Sequence, residues 1–225
     1  MRILNLIRAI GGIAVLTIAG CKSATATATP AAITVVQGNL QAVQGGKELP
    51  LPIVLRVTDK SGVGIPGKQV ALSVTGGGGA IAPASLISDA KGEVKALWSL
   101  GKTQTMQELT ASSPGVTPVR LTATAILPTD IIVAQGNNQT AKAGTALTNS
   151  IVVRVVGPNN VPMEGITVAF QIIAGGGAIS PVSAISSALG EVTVKWTLGA
   201  VAGSNLANIV ASTASNAVVT AIGTP

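Results

Sequence analysis

Histidine and tyrosine are absent from this 225-residue chain, which has one phenylalanine, two tryptophans and a single cysteine. Without histidine, and with Cys21 as the only thiol, the usual nucleophile–base pairs and most transition-metal sites have no ligands to build on. One cysteine also excludes an intramolecular disulfide. The shortage of rings argues against sugar and base stacking, and against the Trp- and Tyr-rich centres of tight protein interfaces. Charge is sparse: 14 basic and 8 acidic residues in the whole chain, with no segment that packs the basic ones together. Nucleic acid is therefore not expected as a partner. No paired carboxylates stand out for two-carboxylate hydrolysis, so the chain is not expected to be an enzyme.

What is present begins with a leader. Arg2 and Arg8 form a positive start, residues 9–18 are apolar, and Ala19-Gly20 stand just before Cys21. An apolar run of roughly ten residues is half the ~20 needed to span a bilayer as a helix, and suits a secretory signal. Ile18-Ala19-Gly20-Cys21 resembles the lipobox of bacterial lipoproteins. That resemblance implies lipidation of the Cys21 thiol, cleavage before it, and anchoring of the chain in a membrane. Lys22 stands where inner-membrane retention in the enterobacterial pattern uses Asp, so the resemblance implies an outer-membrane lipoprotein, facing either the periplasm or the surface. Removing residues 1–20 leaves 12 basic against 8 acidic residues. Residues 23–30, SATATATP, have no apolar period and read as a flexible tether.

The remainder is one unit written twice. Gln37-Gly38-Asn39-Leu40-Gln41 returns as Gln135-Gly136-Asn137-Asn138-Gln139, and Gly77-Gly78-Gly79 returns as Gly175-Gly176-Gly177. Gly92-Glu93-Val94 and Trp98-Ser99-Leu100-Gly101 return as Gly190-Glu191-Val192 and Trp196-Thr197-Leu198-Gly199. Each return is 98 residues on, and Ala111-Ser112 against Ala211-Ser212 suggests a two-residue insertion beyond Gly101. Apolar residues alternate with polar ones: Ile53, Leu55 and Val57; Val94, Ala96, Trp98 and Leu100; Leu121, Ala123 and Ala125; and in the second copy Val192, Val194, Trp196 and Leu198. Strand side chains point alternately to opposite faces, so these are strands with one buried side. Around seven such strands in about 95 residues predict an all-β chain of two tandem immunoglobulin-like β-sandwich domains behind a signal peptide. The expected boundaries are residues 1–20 for the signal, 21–30 for the tether, and 31–127 and 128–225 for the two domains. Trp98, Trp196 and Phe170 all fall on inward positions. The junction around Pro128 is short and contains no glycine, which predicts a stiff connection and an elongated pair.

Taken in order, the QGN-Q, GGG-I, G-E-V and W-x-L-G signatures resemble the bacterial Ig-like domain group 1 (Big-1), known from intimin and invasin. The two copies depart from each other at Asp89, which becomes Ser187, and at Asp59, which becomes Gly157. The resemblance implies a structural or adhesive role without catalysis: a lipid-anchored cell-envelope module, expected to be a monomer. The alternative is a binding subunit that recruits a protein partner by edge-strand pairing.

Candidate site residues are few. Glu93 and Glu191 recur in both copies and read as solvated strand ends. Arg56 and Arg154 share an outward register and read either as a contact face or as a solvated strand. The runs at 76–79 and 175–177 could cradle an anion, but no helix follows them, so turn or bulge glycine is the simpler reading. Asp130, Asn137 and Asn138 are too few for a calcium site. No cofactor and no metal are expected, and Cys21 is the one modification site.

Cys21→Ser should abolish lipidation and leave a precursor of unprocessed mass. Mass spectrometry of the wild-type N-terminus would contradict this by finding a free, unmodified thiol.

Overall fold

The computed structural model of the protein describes residues 28–225; the signal segment, Cys21 and most of the tether lie outside them. The first repeat forms β1 (Ala32–Gln37), β2 (Gln41–Gln44), β3 (Ile53–Thr58), β4 (Gln69–Gly76), β5 (Gly79–Ala82), β6 (Ser85–Ile87), β7 (Glu93–Leu100), β8 (Met106–Ser113) and β9 (Val116–Ile126). The second forms β10 (Asp130–Gln135), β11 (Gln139–Lys142), β12 (Ile151–Val156), β13 (Thr167–Ala174), β14 (Gly177–Ser180), β15 (Ser183–Ile185), β16 (Glu191–Leu198), β17 (Gly203–Ala211) and β18 (Ala217–Thr224). Each repeat makes a four-stranded sheet facing a five-stranded one, in the orders β1-β3-β7-β5 and β2-β9-β8-β4-β6, then β10-β12-β16-β14 and β11-β18-β17-β13-β15. These are two tandem immunoglobulin-like sandwiches.

Nine strands per repeat, rather than seven, arise because the chain changes sheets twice within segments that read as continuous. β1 pairs with β3 in one sheet, and β2 then pairs in parallel with β9 in the other. The QGN-Q signature is the crossover between them. Gly38 has φ +97°, and a Cβ there would lie 2.5 Å from the Pro52 carbonyl oxygen. Asn39 Oδ1 accepts the Thr122 amide at 2.9 Å. The Gln41 amide donates to the Gly38 and Leu51 carbonyls, both at 2.8 Å, and its oxygen accepts Leu51 N–H. Asn137 and Gln139 repeat these bonds with Thr220, Gly136 and Asn149. Likewise β5 pairs with β7 while β6 returns to β4.

The expected insertion beyond Gly101 is absent. Leu109↔Leu121 and Ala111↔Val119 in the first sandwich correspond to Ala207↔Val219 and Ile209↔Ala217 in the second, still 98 residues on. The structural equivalent of buried Ala111 is buried Ile209, not Ala211. The recurring Ala-Ser pair was a chance match in strands rich in small residues.

The predicted inward residues form two separate cores. Trp98 and Trp196 are 0% and 1% exposed at their centres, and Phe170 is buried with them. Neither indole N–H has a hydrogen-bond partner. An unpaired buried donor costs about 1–3 kcal/mol. Burying a ring of about 200 Å² contributes about 5 kcal/mol at 25 cal/mol per Å², so burial wins. Replacing either Trp by Ala should therefore destabilise its own sandwich by about 3–5 kcal/mol, and replacing it by Phe should cost clearly less, because Phe leaves no orphaned donor. Denaturant melts of the four single variants measure both differences.

Candidate functional site

Three regions gather the chain's polar and exposed groups: the turns at the start of β7 and β16, the junction between sandwiches, and the open sheet edges. At the first, Arg56 lies directly across β3–β7 from Glu93, and Arg154 across β12–β16 from Glu191. The Arg56 guanidinium donates twice to Glu93 Oε1, through Nε at 3.1 Å and through Nη2. Arg154 Nη2 lies 3.5 Å from Glu191 Oε1. The recurrent glutamates are thus half-buried partners in a cross-strand ion pair rather than free strand ends, and the arginines are engaged there. Part-exposed pairs of this kind contribute under about 1 kcal/mol each, a register device more than a stability device.

Asp89 closes the turn before Glu93. Its Oδ1 accepts the amides of Lys91 and Glu93, both at 2.8 Å. In the second sandwich Ser187 Oγ accepts the equivalent amides of Leu189 and Glu191 at 3.3 and 3.2 Å. The Glu93 amide, then that of Lys91, hold the Asp89 carboxyl below its ordinary value of 3.8, with the charges of Lys91 and Arg56 assisting against desolvation. Asp59 closes the β3–β4 turn in the same manner, accepting from Ser61 and Val63 at 2.8 and 2.9 Å.

The glycine runs hold no open cradle. Gly101 N–H donates to buried Gln107 Oε1 at 2.9 Å, and a Cβ on Gly101 would come within 1.9 Å of the Gly77 carbonyl oxygen. Gly199 and Asn205 repeat the arrangement. These glycines are conditions of close packing, and Val74/Gly76 and Ile172/Ala174 mark bulges beside them. Asn137 is occupied by Thr220. Among the described residues no three His, Cys, Asp or Glu side chains come together.

The junction is tied at both ends. Leu127 packs against the first core, while Thr129 N–H donates to the Val156 carbonyl at 2.8 Å. Thr213 Oγ1 donates to the Pro128 carbonyl at 2.9 Å, and Ser215 N–H to that of Thr129 at 2.8 Å. Across the gap, Gln44 Nε2 donates to the Glu164 carbonyl at 2.6 Å, and Lys47 Nζ lies 3.3 Å from Glu164 Oε2. Gly157 replaces Asp59 because this turn abuts the junction: a Cβ there would lie 2.9 Å from Met163 Sδ and 3.3 Å from the Leu127 carbonyl oxygen. A cleft of about 440 Å³ opens beside it, lined by Lys47, Lys102, Leu127, Met163 and Glu164 among others. Sequence reasoning located the linker but not these contacts, because Lys47 and Glu164 are 117 residues apart and have no counterpart pair in the other copy. At the sheet edges, β6 and β15 expose Ile87 and Ile185, 64% and 69% accessible, in equivalent positions.

No protein-family model and no curated protein sequence matches the chain. Solved structures similar to it include the adhesin InvE of Yersinia pseudotuberculosis, at 18% identity over 86% of this chain and 59% of that one, with a TM-score of 0.48. Invasin, described as a bacterial integrin-binding protein, is similar at 17% identity over 85% of this chain and 39% of that one, with a TM-score of 0.45. The D0–D1 domains of intimin are similar at 18% identity over 83% and 96%, with a TM-score of 0.32. The chain thus spans less than two thirds of the InvE and invasin structures.

Because the folded state depresses the Asp89 carboxyl, its contribution is complete above the ordinary carboxylate range and disappears as pH falls through its lowered value. The first sandwich should therefore lose stability on acidification from about pH 5 to about pH 2 through a group the second sandwich lacks. Asp89→Ser, which adopts the second sandwich's solution, should flatten that part of the profile. Melting temperatures of both proteins against pH test it, and parallel curves would remove Asp89 from the account.

Proposed function

We propose that the chain is a lipid-anchored module of the bacterial cell envelope, held through Cys21 in the outer membrane, whose two sandwiches act as a stiff spacer or adhesive stalk. The observation that carries this reading is the junction. Only residues 127–129 separate β9 from β10, and each is held by one sandwich or the other, so the two units are presented in series rather than swinging freely. Pro128 reinforces this by fixing its own φ and biasing Leu127 toward an extended conformation. The residues the two copies share are used up in building the fold, which leaves outer faces and edges for contact. The domains are taken as residues 31–127 and 128–225, behind a signal of 20 residues and a tether to residue 30.

The second reading is recruitment of a protein partner by strand addition, and the exposed Ile87 and Ile185 on the β6 and β15 edges favour it. An incoming strand would pair with the free backbone groups of the edge and cover those side chains.

Fractionation of expressing cells distinguishes these claims. The wild-type chain should sediment with outer membranes, and Cys21→Ser should leave that fraction at least tenfold depleted. Proteinase added to intact cells reports the facing. Cross-linking followed by purification should recover no stoichiometric partner from a plain spacer, whereas one partner lost on Ile87→Asp and Ile185→Asp would replace the spacer by the strand-addition reading.

A further inference from the structure

The chain enters each sandwich at the same end. In the first, Ala31 N–H donates to the Thr58 carbonyl at 2.8 Å, which puts the tether beside the turn of residues 59–63. The turn at residues 88–92 abuts it: a Cβ on Gly64 would lie 1.9 Å from the Lys91 carbonyl oxygen, and Ser88 N–H donates to the Lys68 carbonyl at 2.8 Å. Lys60, Lys68 and Lys91 therefore share one end of the sandwich, the first and last exposed and Lys68 half-buried. None of them takes part in an ion pair among the described residues. The same segments hold two acids, Asp59 and Asp89, each of which accepts two amides of its own turn. Arg56 and Glu93 cancel each other beside them.

The second sandwich provides the comparison. Its backbone repeats this end, with Gly157 N–H bonded to Val161 as Asp59 is to Val63, and Gly165 to Ser186 as Gly67 is to Ser88. The lysines do not recur. They become Pro158, Ile166 and Leu189, and segments 157–166 and 186–190 carry no basic residue and one acid, Glu164. Pro158 and Leu189 are exposed, so neither backbone nor burial dictates the residue type at those positions. What differs is the neighbour. The second sandwich meets the first with this end, and Glu164 receives Lys47 across the gap at 3.3 Å. It is a docking end, and its charge follows what precedes it in the chain.

We infer that the corresponding end of the first sandwich docks on anionic phospholipid headgroups of the leaflet that carries the anchor, through Lys60, Lys68 and Lys91; this rests on the proposed anchoring at Cys21. Ten residues lead from Cys21 to Ala31, roughly 35 Å at full extension, so this end reaches the leaflet and stays near it. They include Lys22 and no acid. A lysine within the ~8 Å screening length of an anionic surface is attracted to it. Three lysines against two acids would hold a free protein only weakly. A short tether raises the effective concentration of the surface to the order of millimolar, and weak attraction then suffices to orient the sandwich. Lysine suits the task, as a compact charge on a flexible stem that can follow mobile phosphates. Because β9 runs from this end to the junction, the second sandwich is held away from the leaflet.

The test uses the full chain with its anchor, in vesicles. Ser61→Cys places a thiol on the exposed turn beside Lys60 to take a fluorophore, which nitroxide-labelled headgroups quench at close range. Quenching should be at least threefold stronger in phosphatidylcholine mixed with phosphatidylglycerol than in pure phosphatidylcholine. It should fall to the phosphatidylcholine level in raised salt, and also when Lys60, Lys68 and Lys91 are all replaced by Gln. The salt arm needs no lysine variant, so it decides the matter if the triple variant misfolds. Flotation with pure phosphatidylcholine vesicles, which carry no net charge, reports the anchor separately. A chain that fails to float there refutes the anchoring; docking is then read from flotation with the mixed vesicles, which the triple variant should abolish, and absence of flotation there overturns docking too. Equal quenching in the two lipids, or quenching in mixed vesicles that raised salt or a folded triple variant leaves unchanged, would overturn the docking while the anchor stands.

Discussion

The rest of each sandwich depends on one parallel contact, the pairing of β2 with β9 and of β11 with β18. Antiparallel neighbours can be reached by a hairpin, but a parallel one requires the chain to leave its sheet and cross to the other. Here the crossing takes place within the first dozen residues of the fold, at Gly38 and again at Gly136. Once made, it fixes which sheet receives the last strand and how far apart the two sheets stand. The alternating strands can then bury one face each around Trp98 or Trp196. Asn39 and Gln41 hold the crossing by satisfying backbone groups that neither ladder reaches, the condition for any irregular segment packed against a core.

This shows which parts of the fold were legible in advance. Alternation is a property of single strands, so the inward sets from Ile53 to Ala125 and from Val192 to Leu198 could be read directly, including both tryptophans. Partnership is a property of pairs of strands. Arg56 could be placed on an outer face, but its engagement with Glu93 requires knowing that β7 lies beside β3 in that register. The supposed insertion after Gly101 failed for a related reason: Ala-Ser is a common dipeptide in such strands, whereas the hydrogen-bond register admits no ambiguity. The junction was legible as short. Its anchoring by Thr213, Ser215 and Glu164 was not, because those residues have no reason in the repeat pattern to be what they are.

A repeated domain also separates two kinds of information. Residues kept in both copies are those the backbone demands: the crossover glycines, the Gly101 and Gly199 contacts, the indoles, the cross-strand Arg–Glu pairs. Residues that differ report what each copy is placed to do. Asp59 gives way to Gly157 where the second sandwich meets the linker, and Lys60, Lys68 and Lys91 give way there to Pro158, Ile166 and Leu189. The candidate site is hard to read from sequence because it lies in these differences, which are scattered across turns that only folding brings together.

The parallel strand pairs have a mechanical consequence. In each sandwich the chain enters through β1 or β10, crosses into β2 or β11, and leaves through β9 or β18, which runs alongside the latter in the same direction. Once β1 has come away from β3, tension slides β2 and β9 past each other and loads the rungs from Gln41↔Ala123 to Gln44↔Ile126 together, instead of peeling them one at a time. Rupture then requires several hydrogen bonds to fail at once, and the governing quantity is the rate of forced opening rather than the equilibrium stability. With no disulfide in either sandwich, this shear geometry is what opposes stretching at the parallel pair.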